Sequence, residues 1–132
     1  MTDDAVRQLL TECKTIAVVG LSDKPSRPSY GVSEYVQRQG YHIIPVNPQV
    51  TEVLGEKVYA TLQDVPEPIE IVNVFRRSEA VPEIVDQAIA IGAKAIWMQV
   101  AVIHEEAAQK AREAGLQVIM DKCLLVEHSR LL

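Results

Sequence analysis

The residues best suited to chemistry lie in the stretch VGLSDKPSRPSYG, positions 19–31. Its polar side chains include three serine hydroxyls and two cations, from Ser22, Ser26, Ser29, Lys24 and Arg27. An apolar run precedes the stretch and an amphipathic run follows it, so we expect a strand, a loop and then a helix capped by Ser29. Free amides and the helix dipole at such a helix start suit a phosphate. The alternative is a surface loop with solvated charges.

A second set of candidate residues follows the apolar run IEIVNVF, positions 69–75. Arg76 and Arg77 come directly after it. A guanidinium group offers paired donors that match phosphate oxygens. Adjacent side chains diverge, so we expect one arginine to face a ligand and leave open that the other is solvated.

The loop is not the usual NAD fingerprint. That fingerprint needs G-x-G-x-x-G and an acidic residue at the end of the second strand for the ribose hydroxyls. Here Asn47 stands in that place, between Val46 and Pro48. The sequence therefore argues against hydride transfer with NAD, and the VNP segment is interpreted either as a nucleotide pocket or as a rigid loop.

Candidate catalytic groups are few. The three histidines, His42, His104 and His128, are placed in a strand, at a helix start and in the last helix, so no acid, base and nucleophile converge. Cys123 follows Asp121 and Lys122 at a strand end, where a cation can lower a thiol pKa, but a buried structural thiol is the preferred interpretation. We assign no catalytic residue, and neither the cysteine nor the histidine spacing indicates a metal site.

These residues need an alternating framework to bring them together. Apolar strand-like runs occupy 15–20, 41–47, 69–75, 93–100 and 116–121, with a weaker strand at 57–60 and a capped turn at 61–64. Amphipathic helical runs occupy 5–13, 29–40, 81–89, 104–115 and 124–132. The order predicts an α/β, Rossmann-like, doubly wound and mainly parallel sheet of five or six strands with helices on both faces. Ligands of such sheets bind at the carboxyl ends of the strands.

Length and charge exclude several classes of protein. The 132 residues fit a single domain, 1–132, and a net charge of −5 argues against nucleic-acid binding. No membrane-spanning run or signal-peptide pattern is visible, so we expect a cytoplasmic protein with reduced cysteines. The exposed segment VAVIH, positions 100–104, leaves a homodimer or another protein partner open.

Five motifs in order carry a resemblance: the 19–31 loop, PVNP, VFRR, AIWMQ and DKCLLVEH. From 14 to 131 the chain resembles the stand-alone CoA-binding proteins of bacteria and archaea. Those proteins are similar to the N-terminal CoA-binding domain of the succinyl-CoA ligase alpha subunit. The resemblance implies a domain that binds coenzyme A or an acyl-CoA as a carrier or sensor.

The resemblance also implies which residues contact CoA. They are grouped by motif as Gly20, Leu21, Ser22, Lys24, Arg27, Ser29 and Tyr30 for the phosphates, Val46, Asn47 and Pro48 for the nucleotide, Val74, Phe75 and Arg76 opposite, and Gln99. The family commonly reads W-x-Q-x-G where this chain has Ala101 as the last residue. The ligase needs a phosphohistidine domain that this chain lacks, so we expect binding without catalysis. An enzyme acting on a CoA thioester or thiol, or an NAD(P)-binding domain, is the alternative.

Overall fold

The structure is a computed structural model that describes residues 1–132. Five helices and seven strands follow one another along the chain. They are α1 (Asp3–Glu12), β1 (Thr15–Val19), α2 (Pro28–Arg38), β2 (His42–Val46), β3 (Glu52–Val53), β4 (Glu56–Lys57), β5 (Ile71–Val74), α3 (Val81–Ala90), β6 (Ala95–Met98), α4 (Glu105–Glu113), β7 (Gln117–Ile119) and α5 (Leu124–Leu131). Short 3-10 turns occupy Leu62–Asp64 and Ser78–Ala80. No helix has both the length and the apolar character needed to cross a bilayer.

The main sheet has five strands in the order β2-β1-β5-β6-β7, all parallel. The chain first moves from β1 to β2 and then returns to place β5 on the other side of β1. This reversal leaves a crevice between the carboxyl ends of β1 and β5, which is where open α/β sheets bind ligands. The predicted doubly wound α/β fold is confirmed, with five strands in the main sheet.

The sheet is covered on both faces, which explains why its strands are nearly all apolar. Alternate side chains of β1 enter different cores: Ala17 and Val19 join one, Ile16 and Val18 the other. Helices α3 and α4 cover the first face, and α1, α2 and α5 cover the second. Trp97 is fully buried in the second core, and its indole nitrogen donates to the Lys122 carbonyl at 2.9 Å, as expected for a core residue.

Helix α2 starts two residues earlier than an N-cap at Ser29 predicts. Arg27 is its N-cap residue and Pro28 occupies the first turn, where a missing N–H is tolerated. Ser29 therefore does not cap the helix. Its hydroxyl instead accepts a hydrogen bond from the Ser22 amide at 3.0 Å, so it stabilises the loop that precedes α2.

The segment between β2 and β5 also differs in detail from its prediction. Instead of one strand at 57–60, β3 and β4 form a small antiparallel hairpin, and Tyr59 makes a single parallel bridge with Val46. The helical turn follows Thr61 as expected, but the Thr61 side chain makes no capping hydrogen bond. Short polar strands of this kind carry little hydrophobic periodicity, which is why their register was not predictable.

His128 packs α5 against the core, and its protonation makes the free energy of unfolding depend on pH. Its Nδ1 lies 2.9 Å from the Tyr35 hydroxyl, and the rings of Tyr35 and Tyr41 pack edge-on against the imidazole. Burial, and secondarily the charge of Lys14, lowers the pKa of His128 below its ordinary value. The folded protein therefore favours the neutral imidazole.

We expect the free energy of unfolding to fall as pH drops below the ordinary histidine range, because the unfolded chain then binds a proton that folded His128 resists. The loss levels off below the lowered pKa. Urea unfolding between pH 7.5 and 5 measures it, with His128→Gln as the control that removes this slope. Equal pH slopes in the wild type and His128→Gln would contradict the assignment.

Candidate functional site

Gly20 brings the two loops of the crevice into contact. Its φ is +91°, and a Cβ built on it would lie 2.3 Å from the Phe75 carbonyl oxygen and 2.9 Å from Cδ of Arg76. The Gly20 amide donates to the Val46 carbonyl at 2.8 Å, so the loop also continues the ladder toward β2. Only glycine fits a backbone with positive φ this close to another backbone. The carboxyl ends of β1, β2 and β5 thus meet at this residue.

The first part of the crevice is a polar pocket of about 520 Å³ at the start of α2. We call it the polar pocket; it is lined by Gly20, Ser22, Asp23, Lys24, Arg27, Pro28, Ser29, Asn47, Gln49, Val50 and Phe75. Lys24 and Arg27 are exposed and make no salt bridge within the protein. Asp23 is the single acidic residue of the lining. The pocket therefore offers two free cations to an anion.

Side chains around the polar pocket hold its loop in shape. Besides Ser29, the Ser22 hydroxyl accepts from the Lys24 amide at 3.1 Å. Asn47 joins two loops, since its side-chain amide donates to the Leu21 carbonyl at 3.0 Å and its oxygen accepts from the Gln49 amide at 2.9 Å. These polar groups organise the backbone, which leaves the cations as the free charges.

The second part of the crevice is a cavity of about 590 Å³ with mainly apolar walls. We call it the apolar cavity; it is lined by Pro28, Val32, Phe75, Arg76, Arg77, Ser78, Gln99, Val100, Ala101, Val102 and Cys123. Pro28 and Phe75 line both this cavity and the polar pocket, so the two adjoin. The crevice therefore joins a polar end to an end with mainly apolar walls, in which Arg76 and Arg77 are the charged residues.

A small cavity of about 150 Å³ lies on the β2 side of Arg76. Val46 and Pro48 line it together with Arg76, which also lines the apolar cavity. Arg77 lines only the apolar cavity of these three spaces. Arg76 thus lies between two parts of the crevice, and neither arginine lines the polar pocket.

Three of the residues assigned to the site by sequence line none of these cavities. Leu21 and Val74 are fully buried core residues, and Tyr30 packs against the core beneath α2. Their side chains support the strand ends and the helix start. Any contact of Leu21 or Val74 with a ligand in the crevice would have to come from the backbone.

Gln99 links the apolar cavity to the centre of the sheet. Its side-chain nitrogen donates to Oδ1 of Asn73 at 2.8 Å, and both residues are buried. The side-chain nitrogen of Asn73 and the hydroxyl of Ser33 on α2 are buried without a hydrogen-bond partner. Because buried polar groups are usually paired, this is an uncommon feature of the core.

The candidate catalytic groups do not converge. His104 is the N-cap of α4, where its Nδ1 accepts from the Ala107 amide at 3.1 Å, and exposed His42 lies 2.8 Å from Glu67. Cys123 is half-buried in the wall of the apolar cavity, and its thiol makes no hydrogen bond to a basic side chain. No group of three metal-ligating side chains is close enough to hold an ion.

Several lining residues were missed by sequence reasoning. Gln49 and Val50 extend the polar pocket, and Ser78, Val100 and Val102 extend the apolar cavity. These residues lie in the loops that follow β2, β5 and β6, at the strand carboxyl ends where the fold predicts a ligand. Periodicity carries no signal for which loop side chains turn inward, so the individual residues were not identifiable.

Comparison with known proteins places this geometry in context. The family model described as "CoA binding domain" matches residues 14–129. "Uncharacterized protein YneT" of Bacillus subtilis (strain 168) is 46% identical over 124 residues, which cover 94% of this chain and 92% of that protein.

Two further relatives differ in size. A solved "hypothetical protein from Pyrococcus horikoshii OT3" is 44% identical with a TM-score of 0.97, covering 99% of this chain and 92% of that one. "Acetate--CoA ligase [ADP-forming] II" of Archaeoglobus fulgidus is 26% identical over 83 residues, covering 61% of this chain and 12% of the enzyme. The similarity to that ligase therefore involves a small part of its length.

Proposed function

This chain belongs to the CoA binding domain family, and from that premise we propose that it binds coenzyme A, free or as an acyl-CoA, in the crevice at the strand carboxyl ends. The proposal treats residues 1–132 as a single binding domain that acts in the cytoplasm as a carrier or sensor. The similarity to the succinyl-CoA ligase alpha subunit belongs to the same proposal.

The observation that carries the proposal is the adjacency of the polar pocket and the apolar cavity through Pro28 and Phe75. Coenzyme A has phosphate groups at one end and a long uncharged pantetheine arm at the other. A charged pocket that opens into an apolar one matches both parts, and each volume lies within the usual range for ligand pockets.

The proposed contacts follow the two-part crevice. Lys24 and Arg27, which lie directly before α2, receive the pyrophosphate near the positive end of the helix dipole. The small cavity between Pro48 and Arg76 takes part of the nucleotide. The pantetheine arm then runs past Phe75 and Gln99 along the apolar cavity.

The proposed role is binding without catalysis. No acid, base and nucleophile lie together in the crevice, and Cys123 is the single thiol of its lining. An enzyme that acts on a CoA thioester through this thiol is the second candidate, favoured by the position of Cys123 in the cavity wall. An NAD(P)-binding domain is disfavoured because both the nitrogen and the oxygen of the Asn47 side chain are hydrogen-bonded to backbone groups of the loops.

Calorimetric titration of the purified protein with CoA, acetyl-CoA, NAD and ATP tests the proposal. We expect both CoA species to bind at least about tenfold more tightly than NAD or ATP, a difference of about 1.4 kcal/mol. NAD binding without CoA binding would overturn the proposal. Release of free thiol from acetyl-CoA during the titration, absent in a Cys123→Ser variant, would favour the enzyme.

A further inference from the structure

One wall of the apolar cavity is a loop with an unfavourable backbone. This rim loop, residues 99–103, follows β6 and contributes Gln99, Val100, Ala101 and Val102 to the lining. Ala101 has φ +68°, a left-handed conformation that is unfavourable for a residue with a Cβ. The Val102 amide donates to the Gln99 carbonyl at 2.9 Å and closes a turn around Ala101, and a contact from outside the loop adds to this turn.

Asp121 supplies that contact from the neighbouring strand end. Its Oδ1 accepts a hydrogen bond from the Ala101 amide at 2.7 Å, a short distance typical of a charged acceptor. Asp121 itself has φ +60°, which aspartate tolerates better than most residues. On the other side of the loop, the Ser78 hydroxyl accepts from the Ile103 amide at 3.0 Å. The rim loop is thus hydrogen-bonded on two sides, to the Asp121 carboxylate on one and to the Ser78 hydroxyl on the other.

We infer that Asp121 is a positioning residue for CoA binding, which acts through Ala101 to keep the rim loop shaped as a wall for the pantetheine arm. The inference rests on the proposed function. Asp121 lines none of the three cavities of the crevice, so it acts without touching the ligand. When the hydrogen bond to Asp121 is lost, Ala101 can leave the left-handed region. Val100 and Val102 then move from their places in the wall of the apolar cavity.

The effect should be confined to one end of the ligand. The rim loop contributes no residue to the polar pocket. A change at Asp121 should therefore alter the binding of CoA, which has the arm, and leave the binding of adenosine 3′,5′-bisphosphate, which lacks it, unchanged. A residue with a merely structural role would affect both ligands alike.

Two substitutions separate the hydrogen bond from the charge. Asp121→Gly removes the acceptor without placing a Cβ on a backbone with φ +60°. Asp121→Asn removes the negative charge and keeps an oxygen acceptor for the Ala101 amide. If Asp121 only repelled an anionic ligand, both substitutions would strengthen binding. If Asp121 positions the rim loop, only asparagine can replace it, because only asparagine keeps the oxygen acceptor.

The test is the dissociation constant of each variant for CoA and for adenosine 3′,5′-bisphosphate. We expect Asp121→Gly to raise the dissociation constant for CoA about fivefold and to change that for the bisphosphate by less than about twofold. The effect on CoA is modest because the hydrogen bond between the Ala101 amide and Asp121 is exposed to solvent. Asp121→Asn should bind both ligands as the wild type does. Adding Ala101→Gly to Asp121→Gly should recover part of the CoA affinity, since glycine accepts the positive φ.

Equal CoA affinity in Asp121→Gly and the wild type, or equal losses for both ligands, would overturn the inference. A wild type that folds and binds no CoA would instead remove the proposed function. Circular dichroism checks that each variant is folded. If Asp121→Gly is not, the same comparison is made between Ala101→Gly and the Asp121→Gly, Ala101→Gly double variant, in which glycine accepts the positive φ.

Discussion

Replacing Gly20 with alanine is expected to weaken CoA binding on the order of a hundredfold and to lower the free energy of unfolding by about 2–4 kcal/mol. The added Cβ would lie 2.3 Å from the Phe75 carbonyl oxygen, a distance that no relaxed structure keeps. The backbone at φ +91° is also unfavourable for alanine. The β1–α2 loop must then move away from β5, and its amides and cations leave the position from which they meet a phosphate.

Gly31→Ala is the matched control for this prediction. Gly31 lies inside α2, has no positive φ, and would place its Cβ in open space. Alanine is preferred over glycine in a helix, so we expect Gly31→Ala to be neutral or more stable by about 0.5–1 kcal/mol. Calorimetric titration and urea unfolding measure both variants. Wild-type affinity in Gly20→Ala would show that this close approach does not shape the site.

Removing both free cations of the polar pocket is expected to weaken CoA binding by on the order of a hundredfold. Hydrogen bonds from charged donors to phosphate contribute about 1.5–3 kcal/mol each, and we take the lower end because Lys24 and Arg27 are exposed. The Lys24→Ala, Arg27→Ala double variant should also show a shallower dependence of affinity on salt, since screening acts on the charges that were removed. Titrations at several salt concentrations measure both effects.

Two further variants give this prediction opposite and neutral controls. Asp23→Asn removes the acidic residue from the same pocket and should increase the affinity for CoA. Arg38→Ala removes a cation from the far end of α2, where Arg38 pairs with exposed Glu34, and should leave affinity unchanged. A loss in Arg38→Ala equal to that of the double variant would indicate a general charge effect rather than a local phosphate site.

The fold was predictable because its main strands are continuous apolar runs and its helices carry an amphipathic periodicity. The β-branched runs of β1 and β5 are buried on both faces, and the stripe along α3 faces the sheet as its spacing indicates. Periodicity failed where elements are short and polar, as in β3 and β4. The start of α2 at Arg27 was missed because the prediction relied on a side-chain cap, whereas the available signal was Pro28 in the first turn.

The site was predictable by location and less so by residue. The rule that ligands bind at strand carboxyl ends predicts a crevice there, and residues that follow β1, β2, β5, β6 and β7 line its cavities. It could not assign Asn47 to holding two loops together, because its hydrogen bond to the Leu21 carbonyl joins segments that are distant in sequence. Nor could it find Asp121, whose partner Ala101 lies across the strand ends and is recognised only by its positive φ.

The contact between Gly20 and Phe75 ties the crevice to the pairing of the two central strands. Val19 and Val74 are register partners, yet they lie far apart in the chain, so their pairing carries a large loop-closure entropy. A partly folded chain in which β1 and β5 are still separate has no crevice at their ends. A ligand that binds there stabilises only the fully paired sheet, and its binding free energy is added to the stability of the least local part of the fold.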